Sequence, residues 1–287
     1  MTAPTSSTTP AGWRQGPVAI TGASGQVGTA LQRRLAAFPN QVRPLGRSDD
    51  LATAFADAEV VVHLAGTLQP RKPNSYTAAN LGSVQATVAA LAGSRVQRVV
   101  FLSFATADPR SPNPYLRAKA AAETALRDSG IPATILRCHH IYGPPAEPGP
   151  MARSFLTGNG RSVTILGRGS QRLAPVYRED VVEAIVHAAL DPAAPVGTFE
   201  LAGPQTMTAA QFAGKLNPGQ VKVRPMPAVL ARLLGRVVPS LPAALVEVML
   251  SDLVPSAEAA ATPGRFGIQL GRIEAVWRPQ VGTGART

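Results

Sequence analysis

Tyr115 and Lys119 stand four residues apart behind Asn113-Pro114, a capping side chain followed by a proline suited to the first helical position. The spacing predicts one helix face that presents both a phenol and an ammonium. With a pKa of about 10 a phenol is a poor base at neutral pH, and a neighbouring ammonium is expected to stabilise phenolate and lower that value. Tyr115 could then exchange a proton with a substrate oxygen. A second chemical run, Val18-Ala19-Ile20-Thr21-Gly22-Ala23-Ser24-Gly25-Gln26-Val27-Gly28, carries an apolar strand through a glycine turn into the amphipathic segment Thr29–Leu35. Gly22 permits the tight turn, Gly25 lets backbone amides approach a pyrophosphate, and Gly28 allows the helix to pack closely on the strand. Strand, turn and helix in that order imply a dinucleotide site along Gly22, Ala23, Ser24, Gly25, Gln26 and Val27.

The elements that must hold these groups alternate from residue 17 to about 200, as in a parallel sheet covered on both faces. Strands are expected at Gln41–Leu45, Glu59–Gly66, Val96–Phe104 and Ala133–Arg137, with helices over Ser75–Leu91 and from Asn113 to Gly130. Beyond Gly143 the alternation loosens into Val163–Leu166, a helix over Glu179–Ala189 with Asp180 as its cap, and Gly197–Leu201. The expected organisation is a tail at 1–15, a dinucleotide-binding core at 16–145, a smaller substrate region at 146–280 interleaved with the end of the core, and a tail at 281–287. Pro227–Val254 is apolar and helical in spacing, broken by Pro239 and Pro242. It reads as a lid over a bulky apolar substrate, with ordinary core or a peripheral membrane contact as the other readings.

After the second strand the chain reads Arg43-Pro44-Leu45-Gly46-Arg47-Ser48-Asp49-Asp50. An acidic residue at that strand's end would hold the ribose of NAD, whereas arginine accommodates a 2'-phosphate. Arg47, assisted by Ser48, therefore favours NADP(H) over NAD(H), and Arg43 is set aside because it lies within the strand.

The formal net charge is +11, almost all of the positive side being arginine spread along the chain. No dense basic block accompanies it, so nucleic acid is not an expected partner. A single cysteine, Cys138, excludes an internal disulfide, and no apolar run approaches the roughly 20 residues of a membrane-spanning helix. The Thr/Ser/Pro-rich start lacks a signal-peptide pattern, and a cytoplasmic location is the expectation. His139 and His140 are adjacent on an extended segment and point to opposite sides, so no metal is expected there.

Taken together, Thr21-Gly22-x-x-Gly25-x-x-Gly28, His63-Leu64-Ala65-Gly66, Asn80, Tyr115-x-x-x-Lys119, Leu136-Arg137-x-x-x-Ile141-Tyr142-Gly143-Pro144 and Val176-Tyr177-Arg178-Glu179-Asp180-Val181 resemble the extended and atypical short-chain dehydrogenase/reductase superfamily. Ser111–Lys119 and Phe199-Glu200-Leu201-Ala202-Gly203-Pro204 are similar to the branch that includes the nucleotide-binding accessory subunit of respiratory complex I. The resemblance implies a Rossmann-type doubly wound sheet. Relatives insert a helix and a strand between the second strand and His63-Leu64-Ala65-Gly66; here that stretch is short, so the sheet should be one strand narrower at that edge. The resemblance also implies cofactor contacts from Leu64, Ala65, Gly66, Lys119 and Cys138, a support for the lysine from Asn80, and substrate contacts from His140 and Arg172. The third catalytic hydroxyl of relatives aligns with Phe104, leaving Ser103 as first choice and Thr106 as second. Two functions follow: an NAD(P)-dependent oxidoreductase or epimerase working through Tyr115 on a carbonyl or alcohol, or a non-catalytic NADPH-binding sensor or assembly-type protein.

Overall fold

The computed structural model describes residues 10–278 apart from 71–72, 159, 218 and 220. The expected tail at 281–287, and residues 1–9 of the expected tail at 1–15, lie outside the described residues.

β1 (Val18–Thr21) is buried throughout, as an unbroken apolar run in a sheet covered on both faces must be. It turns at Gly22, whose φ of 69° suits glycine, into α1 (Gln26–Leu35). β2 (Val42–Leu45), the five-residue α2 (Leu51–Phe55) and β3 (Val60–His63) follow. A π-helical turn, Thr77–Gly82, opens α3 (Ser83–Leu91), so the helix expected from Ser75 has a widened first turn. β4 (Arg98–Phe104), α4 (Pro114–Asp128) and β5 (Ala133–Cys138) come next. The remainder comprises β6 (Ile141–Tyr142), α5 (Gly149–Arg153), β7 (Ser162–Leu166), β8 (Arg172–Leu173), β9 (Val176–Tyr177), α6 (Arg178–Leu190), β10 (Gly197–Leu201), β11 (Met207–Thr208), α7 (Ala209–Leu216), β12 (Lys222–Met226), α8 (Ala228–Val237), α9 (Ala243–Leu250), α10 (Thr262–Arg265) and α11 (Ile273–Val276). Asp180 is the third residue of α6 and not its cap, because the helix begins at Arg178, one residue before the expected Glu179.

Six strands form one parallel sheet in the order β10-β5-β4-β3-β1-β2. β2 is an edge strand because the short α2 returns the chain directly to β3, which pairs with the opposite side of β1. The Rossmann-type sheet is therefore one strand narrower, as expected. Ala19, Phe55, Val61, Val84, Phe101, Leu126 and Ile135 form the core on the side of α2, α3 and α4.

The chain divides into two compact units. One comprises the chain through Cys138, Glu179–Leu201 and Ala257–Gln269; the other comprises His139–Arg178, Ala202–Ser256 and the chain from Leu270. The second has its own core around Tyr142, Phe155, Phe212 and Trp277, and the Trp277 indole donates to the Leu216 carbonyl at 3.0 Å.

Candidate active site

The glycine turn leaves no room for side chains. A Cβ on Gly22 would sit 2.6 Å from the Ala65 nitrogen, and one on Gly28 would sit 2.6 Å from the carbonyl oxygens of both Gly22 and Ala23. Gly25 is the N-cap of α1 and supplies no side-chain cap, so the first amides of the helix keep the free N–H groups a phosphate needs. The strand order reverses between β1 and β3, whose C-terminal ends carry Gly22 and Leu64-Ala65-Gly66. Open parallel sheets bind ligands at such a switch point, and these residues fit a dinucleotide.

At the end of β2 the charged residues sort themselves by what they already hold. Arg43 is ion-paired with Asp57 and donates to the Ala54 carbonyl at 3.2 Å. Asp49 accepts from the Gly46 N–H at 2.8 Å, and Asp50 caps α2 by accepting from Ala52 N–H and the Thr53 hydroxyl. Arg47 is exposed and has no hydrogen-bond or ion-pair partner among the described residues.

α4 starts as its sequence requires: the Asn113 side chain accepts from the Tyr115 N–H at 3.0 Å, with Pro114 at the first position. The Tyr115 ring is buried and meets Phe104 edge-on, 5.7 Å between centroids. One turn later the Lys119 ammonium donates to the Leu102 carbonyl at 2.8 Å and lies 4.7 Å from the centre of the Phe101 ring. Burial lowers the Lys119 pKa to about 8 against the opposing charge of Glu123. Burial also pushes the Tyr115 phenol up, with the neighbouring Cys138 adding to the effect. The expected lowering of the tyrosine pKa is thus reversed, since loss of water dominates. Cys138, buried at the end of β5, is likewise pushed up by burial and stays a neutral thiol.

Ser103 donates to Glu123 Oε1 at 2.6 Å, and Glu123 is fully buried and chelated by Arg137, the closer bond being 2.6 Å. The hydroxyl chosen first as the third catalytic group is therefore held in an ion-pair network. Thr106, the second choice, is exposed in the turn after β4. The buried Asn80, on the π-helical turn, accepts from the Thr67 N–H at 3.1 Å and donates to the carbonyls of Thr67 and Tyr76 at 3.0 Å. Gly66 fits between it and the lysine: a Cβ there would be 2.7 Å from Asn80 Oδ1 and 3.3 Å from Lys119 Nζ. Asn80 pins the loop after β3 to the π-helical turn that opens α3.

Two participants escaped sequence reasoning. Glu123 continues the four-residue ladder Tyr115, Lys119, Glu123 along one face of α4, a signal that was available. His63 is buried among three hydroxyls: Thr21 and Thr87 lie 3.0 Å from Nδ1, and Ser83 lies 3.3 Å from Nε2. Burial, and then the charge of Lys119, lower its pKa to about 3, so it remains neutral. Nothing in the spacing around His63 announced that cage, whose hydroxyls come from β1 and from successive turns of α3.

His140 and Arg172 belong to the second unit. His140 is buried, its pKa lowered to about 4 by burial and by His139, and its carbonyl accepts from the Val176 N–H at 2.9 Å. Arg172 is exposed on β8, its backbone N–H donating to Asp252 at 2.7 Å.

A model of the NAD dependent epimerase/dehydratase family matches residues 18–202. The chain is 33% identical over 168 residues to the mitochondrial NADH dehydrogenase [ubiquinone] 1 alpha subcomplex subunit 9 of Arabidopsis thaliana, covering 58% of this chain and 41% of that one. It is 29% identical over 194 residues to a ceramide reductase of Caulobacter vibrioides, covering 60% of each. The chain thus spans 41% to 60% of the length of these curated relatives. Among solved structures, a human epimerase family protein with NADPH superposes at a TM-score of 0.71 with 19% identity, over 91% of this chain and 97% of the other. A UDP-glucose 4-epimerase from Thermotoga maritima with UDP-glucose superposes at 0.65 with 18% identity, over 91% and 96%.

Proposed function

Since the chain belongs to the NAD dependent epimerase/dehydratase family, we propose that it is an NADP(H)-dependent reductase of a carbonyl group on a bulky, apolar molecule, with Tyr115 as the proton donor. The observation that carries this reading is the Lys119 ammonium, buried, anchored on the Leu102 carbonyl and one helical turn from a buried tyrosine. When bound, NADP(H) supplies the hydride. The chain's own residues handle the proton. Burial keeps the Tyr115 phenol protonated until a substrate oxygen takes the proton, and the Lys119 charge then stabilises the phenolate left behind. Cys138 lines the site as a neutral packing group. The preference for a phosphorylated cofactor rests on the unengaged Arg47, and the substrate class on the likeness to a ceramide reductase.

A second reading, NADPH binding without turnover, draws on Phe104, which stands where catalytic relatives place a hydroxyl, and on the engagement of Ser103 by Glu123. One experiment separates the two: NADPH consumption is followed with long-chain ketones, and NADPH binding is titrated in parallel. Tyr115→Phe should lose about 10²–10⁴-fold in turnover while NADPH affinity is retained. Undiminished turnover in Tyr115→Phe removes the tyrosine from the mechanism. Tight NADPH binding with no consumption across the ketones selects the second reading.

A further inference from the structure

α8 packs with its small side inward. Ala231 is fully buried, and a Cβ on Gly235 would lie 3.1 Å from a Val246 methyl and 3.2 Å from the Ala243 Cα of α9. On the opposite side stand Val229, Leu230, Leu233 and Val237, exposed by 78%, 45%, 55% and 70%. At 3.6 residues per turn these four occupy an arc of about 100°, centred roughly opposite Ala231 and Gly235. A helix lying on a protein in water has the reverse arrangement, large apolar residues inward and polar ones outward. The expectation that Pro227–Val254 is ordinary core fails at these four positions.

The charges beside the stripe are of one sign. Arg236 is exposed one residue from Val237, and Lys222 and Arg224 are exposed on β12, which leads into the helix. None of the three side chains has a hydrogen-bond or ion-pair partner among the described residues. Arg232 is held by Glu247 of α9 at 2.9 Å, which neutralises the nearest carboxylate. We propose that α8 docks this chain on a bilayer carrying anionic lipid: Val229, Leu230, Leu233 and Val237 enter the headgroup–acyl boundary while Arg224, Arg236 and Lys222 meet lipid phosphates. A second copy is the poorer occupant. An isologous contact through this stripe would bring two copies of the same positive flank together with only an already paired Glu247 to offset them. The inference is independent of the reaction proposed for the first unit.

Cosedimentation of the full chain with phosphatidylcholine vesicles, with and without phosphatidylserine, tests it. The expected result is pelleting with the anionic vesicles, reduced at least about tenfold in the double variant Leu233→Glu/Val237→Glu and reduced by added salt. The substituted positions are exposed, so melting temperature and NADPH affinity should be retained, which separates lost docking from lost folding. A second variant, Arg224→Glu/Arg236→Glu, should weaken pelleting with anionic vesicles specifically. Absence of pelleting, or pelleting unchanged in both variants, overturns the proposal. So does a concentration-dependent dimer, abolished by Leu233→Glu/Val237→Glu, in a chain that ignores vesicles.

Discussion

Glu123 is a carboxylate with no water around it, and its charge is shared by the Ser103 hydroxyl, the Arg137 guanidinium and, at 3.6 Å, Arg127. Its fourth relation is to Lys119, whose pKa burial lowers and Glu123 raises. Removing that negative charge should therefore drop the lysine further below about 8, and the lysine must be protonated to hold a phenolate. Glu123→Gln is expected to shift the alkaline limb of the pH–rate profile toward lower pH, with Glu123→Asp restoring part of the shift. A profile displaced by neither variant would confine Glu123 to structure. The substitution also leaves Arg137 without its partner, so a lower melting temperature should accompany the shift.

The loop between β2 and α2 shows how an element decides which of several like residues is available. Four charged side chains lie between Arg43 and Asp50, and folding assigns three of them: Arg43 to Asp57, Asp49 to the Gly46 amide, Asp50 to the start of α2. Arg47 is left over, two residues past the edge strand, and is the group proposed to meet a 2'-phosphate. Arg47→Ala should cost NADPH about tenfold in affinity, the worth of one charge-assisted hydrogen bond, and leave NADH nearly unchanged. Equal loss for both cofactors in a binding titration would remove the arginine from the phosphate site. The same loop carries the missing strand, because five helical residues suffice to return the chain from β2 to β3.

Burial keeps a histidine in each unit neutral: His63 with a pKa of about 3 and His140 of about 4, against 6.5 unperturbed. Between those values and 6.5 the unfolded chain binds protons that the native chain does not, so stability is fully present above pH 6.5 and is lost as pH falls. Each group contributes a slope of up to about 1.4 kcal/mol per pH unit inside its window. Melting temperature should fall steadily from pH 7 to pH 4, and His63→Asn should flatten that fall relative to the unmodified chain. Parallel curves for the two proteins would show that His63 does not supply the acid sensitivity. His63 is the sharper case, because its neutrality follows from burial and from the charge of Lys119 beside it.

The sequence by itself determined β1 to β5, β7 and β10 with α1, α3, α4 and α6 in their order, the glycine turn and the cap of α4. These depend on periodicities, capping residues and steric limits that act within a few positions of the chain, and Gly22, Gly28 and Asn113 behave as those rules demand. The narrow sheet edge was legible too, from the brevity of the segment between Arg47 and Glu59. The tertiary structure alone decided what each polar group is spent on. Ser103 looked available until Glu123, twenty residues on, accepted its hydrogen bond, and Tyr115 looked activated until burial raised its pKa above that of a free phenol. The apolar spacing of α8 predicted a helix correctly but not which way it faces, since a periodic stripe states that one side is apolar and only packing against α9 turns that side outward. Desolvation and long-range pairing depend on neighbours that folding brings from elsewhere in the chain, which is why local pattern could name candidates and could not assign their work.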